Sequence, residues 1–538
     1  MADSIPLTPY VEELVRAYAR PILPPPPPEG VETVKVDQAM SRIAFVYEKV
    51  RNAVEYRETH LLRRAAIARI LKRRWHEHAP MDEIAAAMMR ELIRARYLPN
   101  ATYPEETVQE IATLLENYHK LRQAGMESSA NTRAARDLGS YTLELAASAV
   151  EEHLVPPLHV EALVAAAHET YSSIIEFRGE NITEAERDEQ LYVALHQVLP
   201  QSDVNTIRYQ LFRLRMPDWP DVEPVNDTVM RLAVAGLADA KDASDATLRH
   251  PVQERLQRKL KRQIAPYIVL RALLEKHGLE AREIIADPDQ YEPEIRAVTQ
   301  DLYTSVKARI RRSAVRSIIY LFVTKVLIGA LAEIPYDLYV FGEIHPVPLI
   351  INVLFPSFLV FMIALWIRLP GEGNTQKIIQ RLWGITYGAH GGDWVIMVRP
   401  PRKRKGLSQA TFVFGYVISL IVVYGGSAWL LRTYLQFNLA SILIFLVFLS
   451  IVSFFGYRIR QSVRELLIAK RREGAFSLFF DFLSIPLLRV GRFLSLNFSR
   501  VNIMAFVLDV ILEAPFKTVV DFFEDWLAYL REKREEIS

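Results

Sequence analysis

Between Leu407 and Tyr457 the chain carries one charged residue, Arg432. The stretch divides into two apolar runs, Ala410–Leu431 and Thr433–Tyr457. Each, at about 20 residues or more, is long enough to cross a hydrocarbon core of roughly 30 Å as a helix. The interior of a water-soluble domain of ordinary size does not need two such runs back to back, so this part of the protein belongs in a bilayer. The mean hydropathy of +0.07 hides this, because it averages two unlike regions. Up to about Arg312 the sequence is charged and Ala-rich. Beyond it, aliphatic and aromatic runs alternate with basic clusters.

Two further spans are expected. Val347–Ile367 holds no charged residue. Ser317–Phe341 is less clean, since it contains Lys325, Glu333 and Pro335, with Asp337 near its end. Charge distribution retains it. Lys307, Arg309, Arg311, Arg312 and Arg316 precede it, and the Tyr336–Pro346 connection has no Lys or Arg. Lys377, Arg381, Arg399, Arg402, Lys403, Arg404 and Lys405 follow the second span. Only Arg432 separates the third and fourth, and Arg458, Arg460, Arg464, Lys470, Arg471 and Arg472 follow the fourth. Basic-rich and basic-poor connections alternate, as the positive-inside rule requires. An even number of crossings must separate Arg316 from Arg402. The expectation is four spans, at about 317–341, 347–367, 410–431 and 433–457, in a plasma (inner) membrane with both termini cytoplasmic. The opening Met1-Ala-Asp-Ser-Ile-Pro has neither the basic nor the apolar part of a signal peptide. Arg432 implies a tight antiparallel hairpin. Gly425, Gly426 and Ser427 offer it small residues for close approach, and Pro356 is placed to kink the second span.

The preceding region reads as helical. Residues 1–20 suit a short helix, and Pro24–Pro28 a polyproline II linker, so 1–30 forms an N-terminal segment. Residues 31–312 read as a cytosolic helical region. Its helices are expected at Val36–Trp75, Pro104–Gln123, Arg133–His153, Val160–Phe177, Glu184–Val198 and Ala246–His277. Ile43, Val46, Val50 and Ala53 form a buried stripe, Gly278 is a C-cap, and Met216–Pro224 marks a possible internal break. Residues 368–409 form a cytosolic loop in a 313–473 membrane domain, with Trp394–Val398 a short strand. Residues 474–538 are expected to form an interfacial or amphipathic tail, Phe476–Leu496 being too interrupted to span. Asp509, Glu513, Lys517, Asp521 and Asp525 follow at intervals of four, one drifting stripe of a helix whose other surface is apolar.

Little of this carries chemistry. The chain has no cysteine, which removes disulfides, thiol catalysis and Cys-type metal sites. His76 and His78 flank Glu77, and His159 and His168 are nine apart; neither arrangement has the i, i+4 spacing of a helical metal site. Gly384–Asp393 matches no phosphate-binding fingerprint and reads as a hairpin-like or interfacial loop. No cofactor or metal is expected. Arg63, Arg64, Arg69, Lys72, Arg73 and Arg74 could meet an anionic partner or lie on a solvated face balanced by acids elsewhere. No aromatic residues interleave them to stack bases, so nucleic acid is not the expected partner. Arg402, Lys403, Arg404 and Lys405 are positioned to contact anionic lipid. The sharpest polar signal is Lys325 with Glu333, because charge within a span usually faces a bundle interior or a water path. Eight residues apart on one straight helix, they cannot touch. The sequence thus leads to an all-α, four-span, non-enzymatic anchor or scaffold with a protein partner or its own copies. The alternative is an oligomeric channel or transporter with a polar path near Lys325 and Glu333.

Overall fold

The computed structural model describes residues 5–37, 59–75, 79–179, 182–367, 370–388, 394–400, 406–464, 466–468 and 475–500. Helix makes up 78% of it and strand 2%, which bears out the all-α expectation. The described residues form two compact units.

The first unit comprises Pro9–Ile175 and Asn181–Arg258. Its helices are α1 (Pro9–Tyr18), α2 (Thr59–Arg74), α3 (Met81–Arg94), α4 (Glu106–Glu127), α5 (Thr132–Leu154), α6 (Leu158–Ile174), α7 (Glu184–Val198), α8 (Val204–Arg215) and α9 (Asp227–Arg249), followed by α10 (Pro251–Leu260) at its boundary. Polar side chains start several of them by accepting otherwise unpaired backbone N–H groups. Asn131 caps α5, Asp203 caps α8 and Asn226 caps α9. Thr183 and Glu186 form a reciprocal capping box at α7. The core is continuous across the bundle: Ile84, Met88 and Leu92 meet Ile111, Leu115, Leu145 and Phe212. The Met216–Pro224 turn is packed into this core, with Trp219 only 2% exposed. The unit therefore continues through that turn. Residues 38–58, including Ile43, Val46, Val50 and Ala53, lie outside the described residues.

The second unit is built on Lys259–Asn502. It begins with α11 (Ala265–His277), which Gly278 ends as expected (φ 51°), and α12 (Ala281–Ala286). Next, α13 (Pro288–Ile328) passes through a π turn, Gly329–Glu333, into α14 (Ile334–Phe341). The rest are α15 (Pro346–Trp366), α16 (Glu372–Tyr387), α17 (Leu407–Leu420), a second π turn (Ile421–Gly425), α18 (Gly426–Leu435), α19 (Leu439–Arg464) and α20 (Ala475–Arg500). Four stretches are long and apolar enough to cross a membrane: Pro288–Phe341, Pro346–Leu365, Gln409–Leu435 and Leu439–Ile459. These are the helices of a membrane protein. The first continues without interruption into the charged residues before it, so residues 259–312 are part of the unit that holds the spans.

The connection between the second and third spans contains α16, which packs against α11 and α13. Gly384, expected in a loop, is inside α16, and Gly388 caps the helix in the left-handed conformation (φ 75°); Ala389–Asp393 lie outside the described residues. The strand read at Trp394–Val398 is Ile396–Val398.

Packing between the spans departs from expectation in two respects. The third span continues past Arg432 to Leu435, and the chain turns at Gln436 (φ 54°), Phe437 and Asn438. The sequence places this turn too early because a single arginine can remain in the last turn of a helix, near its carbonyl end. Nor do Gly425 and Gly426 make the close approach. A Cβ on Gly426 would meet nothing within 4 Å, whereas one on Gly491 would lie 2.1 Å from the Ser450 carbonyl oxygen and one on Gly456 2.6 Å from Ile363. Among these spans the tightest approaches are therefore at Gly456 on α19 and Gly491 on α20. Gly491 sits against Ser450 and Phe454, so α20 lies along α19. Its Phe482 carbonyl accepts from Ser419 (3.4 Å), and its Arg489 lies 4.7 Å from the Tyr416 ring centroid. The Phe476–Leu496 segment thus packs on the third and fourth spans. The charged stripe of 509–525 lies outside the described residues.

Candidate functional site: a polar cluster within the spans

The first span brings Lys325 and Glu333 to one face because its backbone is not a uniform α-helix. Eight residues at about 100° each would leave them roughly 80° apart. A π turn accommodates one extra residue, so the offset falls to about 20°. Such a turn, Gly329–Glu333, lies between the two side chains. Pro335, immediately beyond, cannot donate a backbone hydrogen bond and clashes with an ideal preceding turn, which is a local reason for the wider turn to sit there.

Both side chains reach Asn352 of the second span. Lys325 Nζ donates to Asn352 Oδ1 (3.4 Å), and Asn352 Nδ2 donates to Glu333 Oε1 (3.1 Å), to Glu333 Oε2 (3.0 Å) and to the Ser441 carbonyl of the fourth span (3.2 Å). The carboxamide has one acceptor and one two-hydrogen donor, so it bridges ammonium and carboxylate in the orientation each requires. Phe448 of the fourth span places its ring centroid 4.0 Å from Lys325 Nζ, a cation–π contact. Lys325 and Asn352 are 0% exposed and Glu333 3%.

A second group lies toward the far end of the same span. Asp337 Oδ1 accepts from Asn438 Nδ2 (2.6 Å), and its Oδ2 accepts from the His345 backbone N–H (3.2 Å). Asn438 Oδ1 accepts from the Ser441 N–H (2.7 Å) and so starts α19. Ser441 thus joins the groups, its carbonyl serving Asn352 and its N–H serving Asn438. Three helices are tied by this chain of bonds.

The other residues singled out from the sequence do not join this cluster. Arg63 and Arg64 turn inward in the first unit. Arg63 Nε and Nη2 bond Glu151 (2.8 and 2.6 Å), and Arg64 bonds Glu144 (2.6 Å) and Asp203 (2.5 Å). Burial alone would raise the Asp203 carboxyl, but the Arg64 guanidinium and the Thr206 N–H outweigh it and hold it below its ordinary value. These two arginines hold α2 on α5 and α8, so they are not open to an outside partner. Arg73 bonds Glu91 (2.6 Å), Arg69 and Arg74 also have partners, and Lys72 is exposed. Arg402, Lys403, Arg404 and Lys405 lie outside the described residues, as do His76 and His78. His153 pairs with Glu110 (3.0 Å), His168 with Asp188 (3.0 Å), and His159 bonds the Arg20 carbonyl (2.9 Å). Among the described residues no three acidic or histidine side chains gather as a metal site.

No protein-family model, curated protein or solved structure matches this chain. The site must be read from its own geometry. It is a closed set of charged and amide groups, an arrangement able to hold helices in register.

Proposed function

We propose that the protein is a non-enzymatic membrane anchor or scaffold, held in a plasma (inner) membrane by its four spans, with both termini cytoplasmic. Its first unit is the part that engages a protein partner or further copies of the chain. The observation that carries this reading is the enclosure of Lys325, Asn352 and Glu333, which satisfy one another at 0–3% exposure. Ionisable groups committed to one another between helices fix packing. A conduit would instead keep them facing water. The third span has only 6% of its apolar window buried against 33% for the fourth, a surface that suits lipid as well as another copy of the chain.

The test is mass measurement of the detergent-solubilised full chain together with ion flux in reconstituted vesicles. An anchor gives flux no greater than empty vesicles and a complex containing a second protein or a low-order oligomer. A ring-sized homo-oligomer with cation or proton flux abolished by Lys325→Met with Glu333→Gln overturns the reading. It would install the alternative, an oligomeric channel or transporter with its polar path at these residues. That alternative draws on one observation, the π turn that carries Glu333, a backbone irregularity frequent at functional sites.

A further inference from the structure

The first unit contains a cavity of about 230 Å³ between α4, α5 and α8. At roughly 30 Å³ per liquid water, that is room for a small organic molecule. Leu114 and Ala149 give it an apolar floor; Tyr118 and Tyr209 give it an aromatic wall. Glu152 on α5 is its distinctive group. One carboxylate oxygen, Oε2, accepts from Gln210 Nε2 (2.9 Å), and no described residue donates to the other. Tyr209 is 3% exposed, yet no described residue hydrogen-bonds its hydroxyl. Glu152 is only partly buried, so its second oxygen and the Tyr209 hydroxyl, both at this pocket and neither bonded by a described residue, are left for a bound molecule to engage.

The charges around it say what would fill it. Arg213, the cation whose charge acts on Glu152, is already bonded to Asp221 (2.7 Å) and to the Trp219 carbonyl (2.8 Å). His153 is turned to Glu110 (3.0 Å). Glu161 on α6 adds a second carboxylate, and Tyr192 on α7 adds only a hydroxyl. Glu152 is therefore short of positive charge, in surroundings where an aromatic wall favours a cation. We propose that this cavity binds a small organic ammonium ion, its NH₃⁺ group on the free oxygen of Glu152 and the Tyr209 hydroxyl, its apolar part against Leu114 and Ala149.

Burial, followed by Glu161, raises the Glu152 carboxyl to about 7. A cation needs the ionised form, so its affinity must rise with pH through that value, by about tenfold between pH 6 and pH 8. The test is calorimetric titration of the full chain in detergent with n-butylammonium chloride, sodium butyrate and butanol. Expected are saturable binding of butylammonium alone, a tenfold tightening from pH 6 to pH 8, and loss of at least tenfold in Glu152→Gln together with the loss of its pH dependence. The pH profile needs no variant, so it stands if the substitution disturbs folding. Equal binding of butanol, an unchanged affinity in a folded Glu152→Gln protein, or no saturable heat with butylammonium at pH 8 overturns the proposal.

Discussion

Removing either charge of the intramembrane pair should cost more than removing both would suggest. In Lys325→Met, Glu333 remains buried with only Asn352 to serve it. In Glu333→Gln, the ammonium keeps its Asn352 and Phe448 contacts but loses its counter-charge. Breaking a buried pair by deleting one partner typically costs about 3–5 kcal/mol. Because Asn352 stands between them, the charges are roughly 5–8 Å apart, where attraction at an effective dielectric near 20 is about 2–3 kcal/mol. That attraction is counted twice when the two single losses are added and is absent only once in the double variant. The double variant should therefore be more stable than the sum of the singles implies by about 2–3 kcal/mol. The assay is a double-mutant cycle on the full-length protein in mild detergent, unfolded by added denaturing detergent and followed by circular dichroism. Additivity within about 0.5 kcal/mol, the usual result for independent sites, would refute the coupling through Asn352.

Gly491→Ala should lower the apparent melting temperature and loosen α20 from α19, because the new Cβ would lie 2.1 Å from the Ser450 carbonyl oxygen; Gly426→Ala, in open space, should stay within about 0.5 kcal/mol of the parent. In the first unit, Arg64→Ala strips the cation from Glu144 and Asp203 and should cost about 2–4 kcal/mol, whereas exposed Lys72→Ala should be silent; thermal unfolding of the two variants compares them directly. Glu152 binds its proton more tightly folded than unfolded, so its contribution is fully present below its ordinary value of 4.5 and lost as pH rises to about 7. The melting temperature of the first unit's transition should fall across that window and fall less in Glu152→Gln. Accessibility tags beside Glu343 and beside Lys403 should report opposite faces of the membrane, and labelling from one face alone would remove the four-span arrangement.

The spans were legible because bilayer thickness imposes a length and an absence of charge that few soluble helices meet. Their partners were not. Lys325 and Glu333 stand out as charges in an apolar run, but Asn352, Asn438 and Ser441 carry no charge and look ordinary in sequence. The phase between Lys325 and Glu333 is not readable from residue counting, which assumes uniform turns, and the π turn at Gly329–Glu333 removes that assumption. Helices α3, α8 and α9 are not among those the sequence pattern predicts, whereas α7 carries its capping box in plain view at Thr183 and Glu186. The inward turn of Arg63 and Arg64 depends on acids 80–139 residues away, which no local pattern encodes.

The rod running from Pro288 to Phe341 is continuous over 54 residues, roughly 80 Å at 1.5 Å per residue. If it stays stiff, tilting it by about 10° around its midpoint would swing each tip by roughly 7 Å. The place along it where hydrogen-bond spacing changes is also where Glu333 docks on Asn352, so bending there would strain that contact first.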